Sequence, residues 1–547
     1  MKRMRSILAL LLAMVMVLSM STMAFAADGT EEKTVDPKIS VTDLAEGDVV
    51  TYYQVIEWDE INGGWVFKAP FTSLSAADLL EITGDGTTAG TITQAMAKKI
   101  AAAATADAGT TDPALTGTTW EKADPAPGLY MVVIAAAESG VVYNPAFVSA
   151  DYTQPAEGAS DSSSISINEK YSDTAVAKKT PIIVGKTEED SDSAIAAAID
   201  SYVGQEVTFH ITTTIPVFMP SFKNPSFDVT DKITDGVELD ADSIVVTAGS
   251  AVEGTDYEII DVTATGFTVS FDEEFLAANA APVDVTIDYK GTLTSDAEFN
   301  VNQEENDVTV TYSNGPGEEK GAVKDKSNTY TFSIGAKLLG DEEKKTSEIV
   351  KVAVDKEGNY VTELVELDNE KKVGALPGAE FGLYTDEACT TLYTNDLTDG
   401  KFTTGDDGVI TYLGLAAGKY YLKELSAPAG YIKDDAVHTI VISATYTEVE
   451  VTETDPGTGI EVTYKTDVLE KYTISYDGDS IEYEITNNGP RSEETTINQE
   501  SFEVKNTEGV ELPSTGSIGT TIFYVVGAIL VLGAGVVLVT RRRMEAQ

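Results

Sequence analysis

The stretch Phe227–Ile233, FDVTDKI, places an apolar side chain at every second position except one. Successive side chains of a β-strand point to opposite faces of the sheet, so residues two apart share a face. Phe227, Val229 and Ile233 therefore form the buried face of a strand, and Asp231 lies on that face with them. The pattern predicts a half-buried strand that carries one carboxyl group into an apolar interior.

The same alternation extends along most of the chain. Thr, Val and Tyr alternate with polar residues from Ile39 to Val504, and turn sequences such as 62–64, 314–316 and 406–408 separate the runs. Short strands at this spacing are typical of β-sandwiches. One Ala-rich stretch, from about Thr91 to Thr105, is predicted to be helical. We therefore expect an all-β protein with three tandem immunoglobulin-like β-sandwich domains.

Met1 to Ala26 has the layout of a secretory signal peptide, with a basic start, an apolar stretch from Ile7 to Leu18 and Ala-Phe-Ala at its end. Such a segment is removed from the mature protein and does not belong to the fold. Secretion permits disulfides, but Cys389 is the only cysteine. No intramolecular disulfide can form, so the domains depend on their cores or on another crosslink.

The composition argues against several classes of function. The chain has 90 Asp and Glu residues against 37 Lys and Arg residues, a formal net charge of −53, which disfavours nucleic acid as a partner. His210 and His438 are the only histidines. With a single cysteine they leave little for a zinc site or a Cys/His catalytic pair, so we expect no metal and no cofactor.

Two segments have the composition of joints between domains, 171–181 and 315–328. A Thr- and Glu-rich section, from about Thr445 to Thr496, is longer than a minimal sandwich needs and is predicted to form extra hairpins. The predicted units are a signal peptide at 1–26, an N-terminal domain at 27–179, a middle domain at 180–328, a C-terminal domain at 329–511 and a tail at 512–547.

The tail has three parts in a fixed order. Leu512, Pro513, Ser514, Thr515 and Gly516 are followed by an uncharged, mostly apolar run, Ile522 to Val539, and then by three arginines at 541–543. At about 1.5 Å per residue the run crosses most of a ~30 Å hydrocarbon layer, and the arginines keep its end in the cytoplasm. A tail-anchored membrane protein is the alternative, but the signal peptide argues against it.

This tail resembles the sorting signal read by sortases of Gram-positive bacteria. By that resemblance a sortase cysteine cleaves between Thr515 and Gly516, holds Thr515 as a thioester and transfers it to an amine.

Strand parity also places an amine and an amide on apolar faces of the middle domain. Lys186 shares its face with Ile182 and Val184, and Asn314 shares its face with residues 308, 310 and 312. In the C-terminal domain, Glu424 falls on the face of Tyr420 and Leu422, and Asn506 on the face of Phe502 and Val504. The lysine expected there is Lys337, although it shares parity with Leu339 and not with Phe332 and Ile334.

A buried lysine, acid and asparagine can react with one another. Burial lowers the pKa of an amine and raises that of a carboxyl, because it penalises the charged forms. The neutral amine can then attack the Asn side-chain carbonyl while the acid polarises it and shuttles protons to the leaving ammonia. The product is a Lys–Asn isopeptide bond.

Residues 420–431, YYLKELSAPAGY, resemble the acid-bearing segment of Cna B-type pilin domains, and 501–516 and 312–314 resemble the terminal strands of domains in the same family. The resemblance to major pilins of sortase-assembled pili covers essentially the whole chain. It implies a Lys186–Asn314 bond assisted by Asp231 and a Lys337–Asn506 bond assisted by Glu424. In the N-terminal domain Ile134 stands where the C-terminal domain has Glu424, so we expect no internal bond there.

A polymerising pilin also needs an exposed acceptor lysine near a domain joint. Lys178 and Lys179 meet this condition, just before Pro181. The family usually has Tyr-Pro-Lys at this place, and the departure leaves the choice open. We favour Lys179, with Lys178 as the alternative and an ordinary basic linker as the non-functional interpretation.

The resemblance implies a structural protein and not an enzyme: the backbone subunit of a pilus on the Gram-positive cell surface. Its expected partners are identical subunits, accessory pilins, a class C-type pilin sortase, a housekeeping sortase and peptidoglycan. The alternatives are a minor or base pilin, a monomeric wall-anchored adhesin, and a secreted enzyme with a wall anchor, for which the sequence offers no catalytic cluster.

Overall fold

The structure is a computed structural model. It describes residues 38–59, 61–84, 90, 92–104, 108–137, 140–150, 173–191, 193–222, 224–315, 320–339, 342–485, 494–496, 501–509 and 518–544. The predicted signal peptide and Leu512 to Gly516 lie outside these residues.

The first domain consists of a sandwich with two helices against its outer face. Its strands are β1 Lys38–Thr42, β2 Val49–Gln54, β3 Ile56–Asp59, β4 Gly64–Phe67, β5 Thr110–Thr111, β6 Thr119–Ala123, β7 Gly128–Ala135, β8 Val141–Asn144, β9 Ala146–Ala150, β10 Asp173–Val176 and β11 Lys178–Pro181, and its helices are α1 Ala76–Thr83 and α2 Gln94–Ala103. A 3-10 turn, Phe71–Ser73, precedes α1.

The sheets of this domain have the orders β10-β1-β6 and β5-β2-β7-β9, with the smaller pairs β3-β4 and β11-β8. Strand β7 is buried at every position because one face packs on the first sheet and the other on the helices. Each helix begins at a polar cap: Ser75 accepts from the backbone N–H of Asp78, and Thr93 from that of Met96. Helix α2 was predicted, whereas α1 was not.

The middle domain is a two-sheet sandwich. Its elements are β12 Val184–Glu189, β13 Ala198–Asp200, β14 Glu206–Ile215, β15 Phe227–Ile233, β16 Val237–Ala248, β17 Tyr257–Thr263, β18 Gly266–Phe271, α3 Glu273–Ala278, β19 Val283–Leu293, β20 Glu304–Ser313 and β21 Lys320–Tyr330. The sheet orders are β12-β14-β19-β16 and β13-β21-β20-β15-β18-β17. As the parity argument predicts, Phe227, Val229 and Asp231 are buried between the sheets.

The third domain has more strands than the others. They are β22 Phe332–Ile334, β23 Ala336–Leu339, β24 Glu342–Lys345, β25 Ile349–Val354, β26 Val365–Glu366, β27 Lys372–Val373, β28 Glu380–Tyr384, β29 Lys401–Thr403, β30 Tyr412–Leu415, β31 Gly418–Ser426, β32 Tyr431–Ile432, β33 Val437–Thr454, β34 Glu461–Tyr476, β35 Asp479–Ile485, β36 Glu494–Thr496 and β37 Phe502–Glu508.

This third domain contains two main sheets. The seven-stranded sheet has the order β29-β28-β31-β33-β34-β35-β36, and the three-stranded sheet has the order β25-β37-β32. The strand pairs β22-β30, β23-β24 and β26-β27 complete the domain. The expected fold of tandem sandwiches is therefore confirmed. After the third domain, helix α4, Ile518–Met544, contains a segment, Tyr524–Met544, that is long and apolar enough to cross a membrane.

Both predicted domain boundaries fall inside strands. Strand β11 pairs with β8 of the first domain as far as Pro181, beyond the boundary predicted at 179. Strand β21 runs through the segment predicted as a charged joint and past residue 328. Its charged residues belong to a strand that pairs with β20 from 320 to 329, so their charge does not mark a linker.

The long β33–β34 hairpin extends from the third domain onto the middle domain, and accounts for the predicted extra hairpins. The Asn328 amide donates to Thr466 Oγ1 at 3.2 Å and to the Asp467 carbonyl at 2.8 Å. The Tyr446 hydroxyl donates to Asp200 at 3.0 Å. Hydrogen bonds between buried or partly buried groups resist bending between the two domains, because breaking them leaves polar groups without partners.

A buried carboxyl group makes the stability of the middle domain depend on pH. Glu188 accepts hydrogen bonds from Ser327 and Thr329, each at 2.8 Å, and burial raises its pKa to about 7. Since the folded pKa lies above the unfolded one, its stabilisation is complete below about pH 4.5 and is lost as pH rises through 7. Between pH 5 and pH 8, we expect the free energy of unfolding of the wild type to fall by about 3 kcal/mol more than that of Glu188→Gln.

Chemical denaturation at both pH values measures this difference. Glu189→Gln, at the neighbouring and more exposed position, is the matched control and should follow the wild type. Parallel pH profiles for wild type and Glu188→Gln would contradict the prediction.

Candidate self-crosslinking sites

The middle domain holds an amine and a carboxyl group in direct contact between its sheets. Lys186 of β12 and Asp231 of β15 are each 1% exposed, and Nζ lies 2.5 Å from Asp231 Oδ2. The two strands belong to opposite sheets. The sequence prediction of this pair agrees with the geometry, because both residues follow the alternation of their strands.

The amide at this site belongs to Asn306, whereas the sequence prediction named Asn314. Asn306 is 1% exposed, and its Nδ2 donates to the Tyr289 hydroxyl at 2.7 Å. That hydroxyl also contacts Lys186 and donates to Asp231 Oδ1 at 2.7 Å. Asn314 instead donates to the Ala136 carbonyl of the first domain at 2.7 Å.

Strand register explains the correction. Asn306 and Asn314 are eight residues apart, so they share a face, and parity cannot distinguish them. Asp231 pairs with Val308 in the ladder, which puts Asn306 one step away on the same face. Asn314 lies about 26 Å further along, at ~3.3 Å per residue.

Burial controls the protonation of the pair. It lowers the pKa of the Lys186 amine, against the smaller opposing attraction of Asp231. It raises the pKa of Asp231, again more than the lysine lowers it. Both shifts favour a neutral amine beside a protonated acid, which is the state in which the lysine is nucleophilic.

The third domain has a second set, formed by Lys351, Glu424 and Asn506. All three are at most 1% exposed. Lys351 Nζ lies 2.9 Å from Glu424 Oε2 and contacts Asn506 Oδ1, and Asn506 Nδ2 donates to Glu424 Oε1 at 2.8 Å. Burial lowers the pKa of the Lys351 amine. Amine, acid and amide here meet directly.

Lys351 replaces the predicted Lys337. Lys337 belongs to β23, where its backbone is opposite Lys344 of β24, and its side chain is outside the described part of the chain. Strand β25, IVKVAV, is buried at all six positions, and it pairs in parallel with β37 so that Ala353 is opposite Asn506. A lysine in the middle of an apolar run was the signal that parity reasoning missed.

The described residues of the first domain include no buried lysine. Ile134, at the position that corresponds to Glu424, is fully buried in β7. The buried acid of this domain, Asp48, accepts from the backbone N–H groups of Ala45 and Ala137, each at 2.8 Å. That carboxyl group is therefore used to hold two loops, and the first domain has no set like the other two within its described part.

The two acceptor candidates lie at the joint of the first and middle domains. Lys179 is exposed on β11, opposite Tyr143 of β8, and the side chain of Lys178 is outside the described residues. The two histidines are each held by acids: His210 by Asp288 at 2.7 Å, and His438 by Asp434 and Asp477. Within the described ranges no group of three or more His, Cys, Asp or Glu side chains could hold a metal ion.

Comparison with known proteins agrees with this architecture. Residues 362–455 match the SpaA prealbumin-like fold domain, and residues 504–546 match the LPXTG cell wall anchor motif. The chain is 26% identical, over 458 residues, to the trypsin-resistant surface T6 protein of Streptococcus pyogenes serotype M6. That alignment covers 76% of this chain and 79% of the relative.

Among solved structures, the chain is similar to the T6 backbone pilin of the same organism, which has a modular three-domain structure. The TM-score is 0.50 at 18% identity, and the match covers 87% of this chain and 99% of the other. The resemblance seen in the sequence is thereby confirmed. The chain is similar to backbone pilins of Gram-positive bacteria, has their three-domain fold, and carries an LPXTG cell wall anchor motif at its C-terminal end.

Proposed function

We propose that this protein is the backbone subunit of a covalent surface pilus. In this proposal, sortase joins Thr515 of one copy to Lys179 of the next, and internal Lys–Asn bonds stiffen each subunit. The observation that carries it is the pair of buried amine, acid and amide sets. The anchor motif and the pilin fold support the same conclusion.

In the third domain the three reacting groups contact one another directly. Lys351 Nζ attacks the Asn506 side-chain carbon, and the carbon–Nδ2 bond breaks. One proton passes from Nζ to Nδ2, which leaves as ammonia. Glu424 accepts hydrogen bonds from both nitrogens, at 2.9 and 2.8 Å, so one carboxyl group can carry the proton between them. In the middle domain, the equivalent bond would join Lys186 to Asn306.

Each bond would close a long loop of the chain. The loops run over 186–306 and 351–506, or about 120 and 155 residues. If such a bond restricts the unfolded chain as a disulfide does, each contributes roughly 5 kcal/mol to stability. Each bond would also link strands near the two ends of its domain, so that tension passes through covalent bonds and not through the hydrogen bonds of a sheet.

The position of Lys179 suits a role as acceptor. It is exposed at the joint between the first two domains, whereas Thr515 lies near the C-terminal end of the sequence. Joining two different surfaces of identical subunits gives a heterologous contact, which extends as an open filament. A class C-type pilin sortase would form this link, and a housekeeping sortase would attach the last subunit or a base pilin to peptidoglycan. Accessory pilins would join the same fibre.

Intact mass spectrometry of the mature chain tests the internal bonds. We expect the wild type to be lighter than its sequence by two molecules of ammonia. Lys351→Ala should lose one of these deficits, because it removes the nucleophile of the third domain, while Lys337→Ala should keep both. Likewise Asn306→Ala should lose the deficit of the middle domain and Asn314→Ala should keep it. An unshifted wild-type mass would exclude the bonds.

Electrophoresis of cell-wall extracts tests polymerisation. We expect a high-molecular-weight ladder that resists boiling in SDS and that disappears in Lys179→Ala, since the acceptor amine is gone. Lys178→Ala is the matched control and should keep the ladder. A ladder lost only in Lys178→Ala would move the acceptor by one residue. A single band in wild type would favour the alternative, a monomeric adhesin or a minor pilin.

A further inference from the structure

The hydroxyl group of Tyr289 contacts every member of the middle-domain set. It donates to Asp231 Oδ1 at 2.7 Å, accepts from Asn306 Nδ2 at 2.7 Å and contacts Lys186 Nζ. Tyr289 lies on β19, in the sheet that also contains β12 with Lys186, and it is 1% exposed. The phenol therefore contacts both the nitrogen that would form the new bond, Lys186 Nζ, and the nitrogen that would leave, Asn306 Nδ2.

The two domains bridge their nitrogens in different ways. In the third domain Glu424 reaches both Lys351 Nζ and Asn506 Nδ2 with its own two oxygens. Asp231 is one methylene shorter: its Oδ2 meets the lysine, and its Oδ1 meets only the phenol. In the middle domain the tyrosine hydroxyl thus spans the distance that the longer acid covers in the third.

The ring of Tyr289 is fixed by its neighbours. It stacks on Phe209 with ring centres 5.2 Å apart and meets Phe267 edge-on at 5.0 Å. Burial raises the pKa of its hydroxyl well above the ordinary value, so the phenol remains protonated and can donate and accept at once. A fixed, protonated hydroxyl between two nitrogens is suited to pass a proton from one to the other.

We propose that Tyr289 is a catalytic residue of isopeptide formation in the middle domain, where it relays a proton from Lys186 Nζ to Asn306 Nδ2. This inference rests on the proposed function, because it assigns a role within the internal crosslink. Lys186 Nζ forms a bond to the Asn306 side-chain carbon, and the carbon–Nδ2 bond breaks. The phenol gives its proton to Nδ2 and receives one from Nζ, so ammonia leaves and the tyrosine is unchanged. Asp231 accepts from Lys186 Nζ through Oδ2 and from the phenol through Oδ1, so it holds both groups in place and is unchanged by the reaction.

The rate of crosslinking in Tyr289→Phe tests this role. The mature chain is made by cell-free synthesis, samples are quenched in acid over time, and peptide mass spectrometry follows both bonds. We expect the Lys186–Asn306 bond to form about 100-fold more slowly than in wild type, the lower end of what a general acid–base group contributes. The Lys351–Asn506 bond should form at the wild-type rate, so it serves as an internal reference in the same chain.

Tyr312→Phe is the matched control. Tyr312 is another fully buried tyrosine of the same domain, but its hydroxyl accepts from the backbone N–H of Gly140 and is absent from the set. The control should form both bonds at the wild-type rate. A wild-type rate for the Lys186–Asn306 bond in Tyr289→Phe would overturn the inference. If wild type itself forms neither bond, the proposed internal crosslinks fail and not merely the role of Tyr289.

Protease resistance of the middle domain shows whether Tyr289→Phe has folded. If it has not, the combined variant Tyr289→Phe with Asp231→Glu replaces it. The longer acid restores the reach that Glu424 has in the third domain. Bond formation in this folded variant would support the bridging role assigned to the phenol, and a folded domain that stays uncrosslinked would overturn it.

Discussion

A lysine that cannot reach water is the feature on which the rest of this structure depends. Lys186 and Lys351 are each at most 1% exposed, and each contacts a buried carboxyl group. Such a pair is costly as ions, because desolvation offsets much of the attraction between them. Conversion to an amide replaces the ionisable amine in the interior with a group that carries no charge. The proposed crosslink therefore relieves the cost of burial that makes the lysine reactive.

Strand alternation predicts which polar side chains are buried in these sites, but it does not predict which of them contact one another. Asp231 and Glu424 were found because each is a polar residue on the apolar face of a half-buried strand. Asn314 was predicted from the sequence, and Asn306, which lies on the same face, was not considered. A period of two does not determine which residue of a face is opposite the acid, because only the register does. Lys351 was missed because β25 is buried on both faces and shows no alternation. The alternation pattern was enough to predict the fold class. To identify which residues meet at each site, one must also know how strands distant in the sequence pair with one another.

The strand with the proposed reactive amide also forms the joint beside Lys179, the proposed acceptor. Asn306 is near one end of β20, and just beyond the other end Asn314 donates to the Ala136 carbonyl of the first domain. Nearby, the Tyr312 hydroxyl accepts from the backbone N–H of Gly140. These contacts hold the first domain against the middle one where Lys179 is exposed. Asn314, which the sequence prediction placed in the crosslink, thus contributes to the contact between the two domains beside Lys179.

With both internal bonds formed, a short covalent path connects the two joining ends of the subunit. Lys179 is seven residues from Lys186, and Asn506 is nine residues from Thr515. Between the two bonds, tension passes along residues 306–351. This segment includes β21, which is hydrogen-bonded to the β33–β34 hairpin. The remaining residues of both sandwiches, 187–305 and 352–505, are bypassed. In the proposed fibre their hydrogen-bonded sheets therefore need only keep the reactive interiors dry and aligned, because the covalent bonds would carry the load.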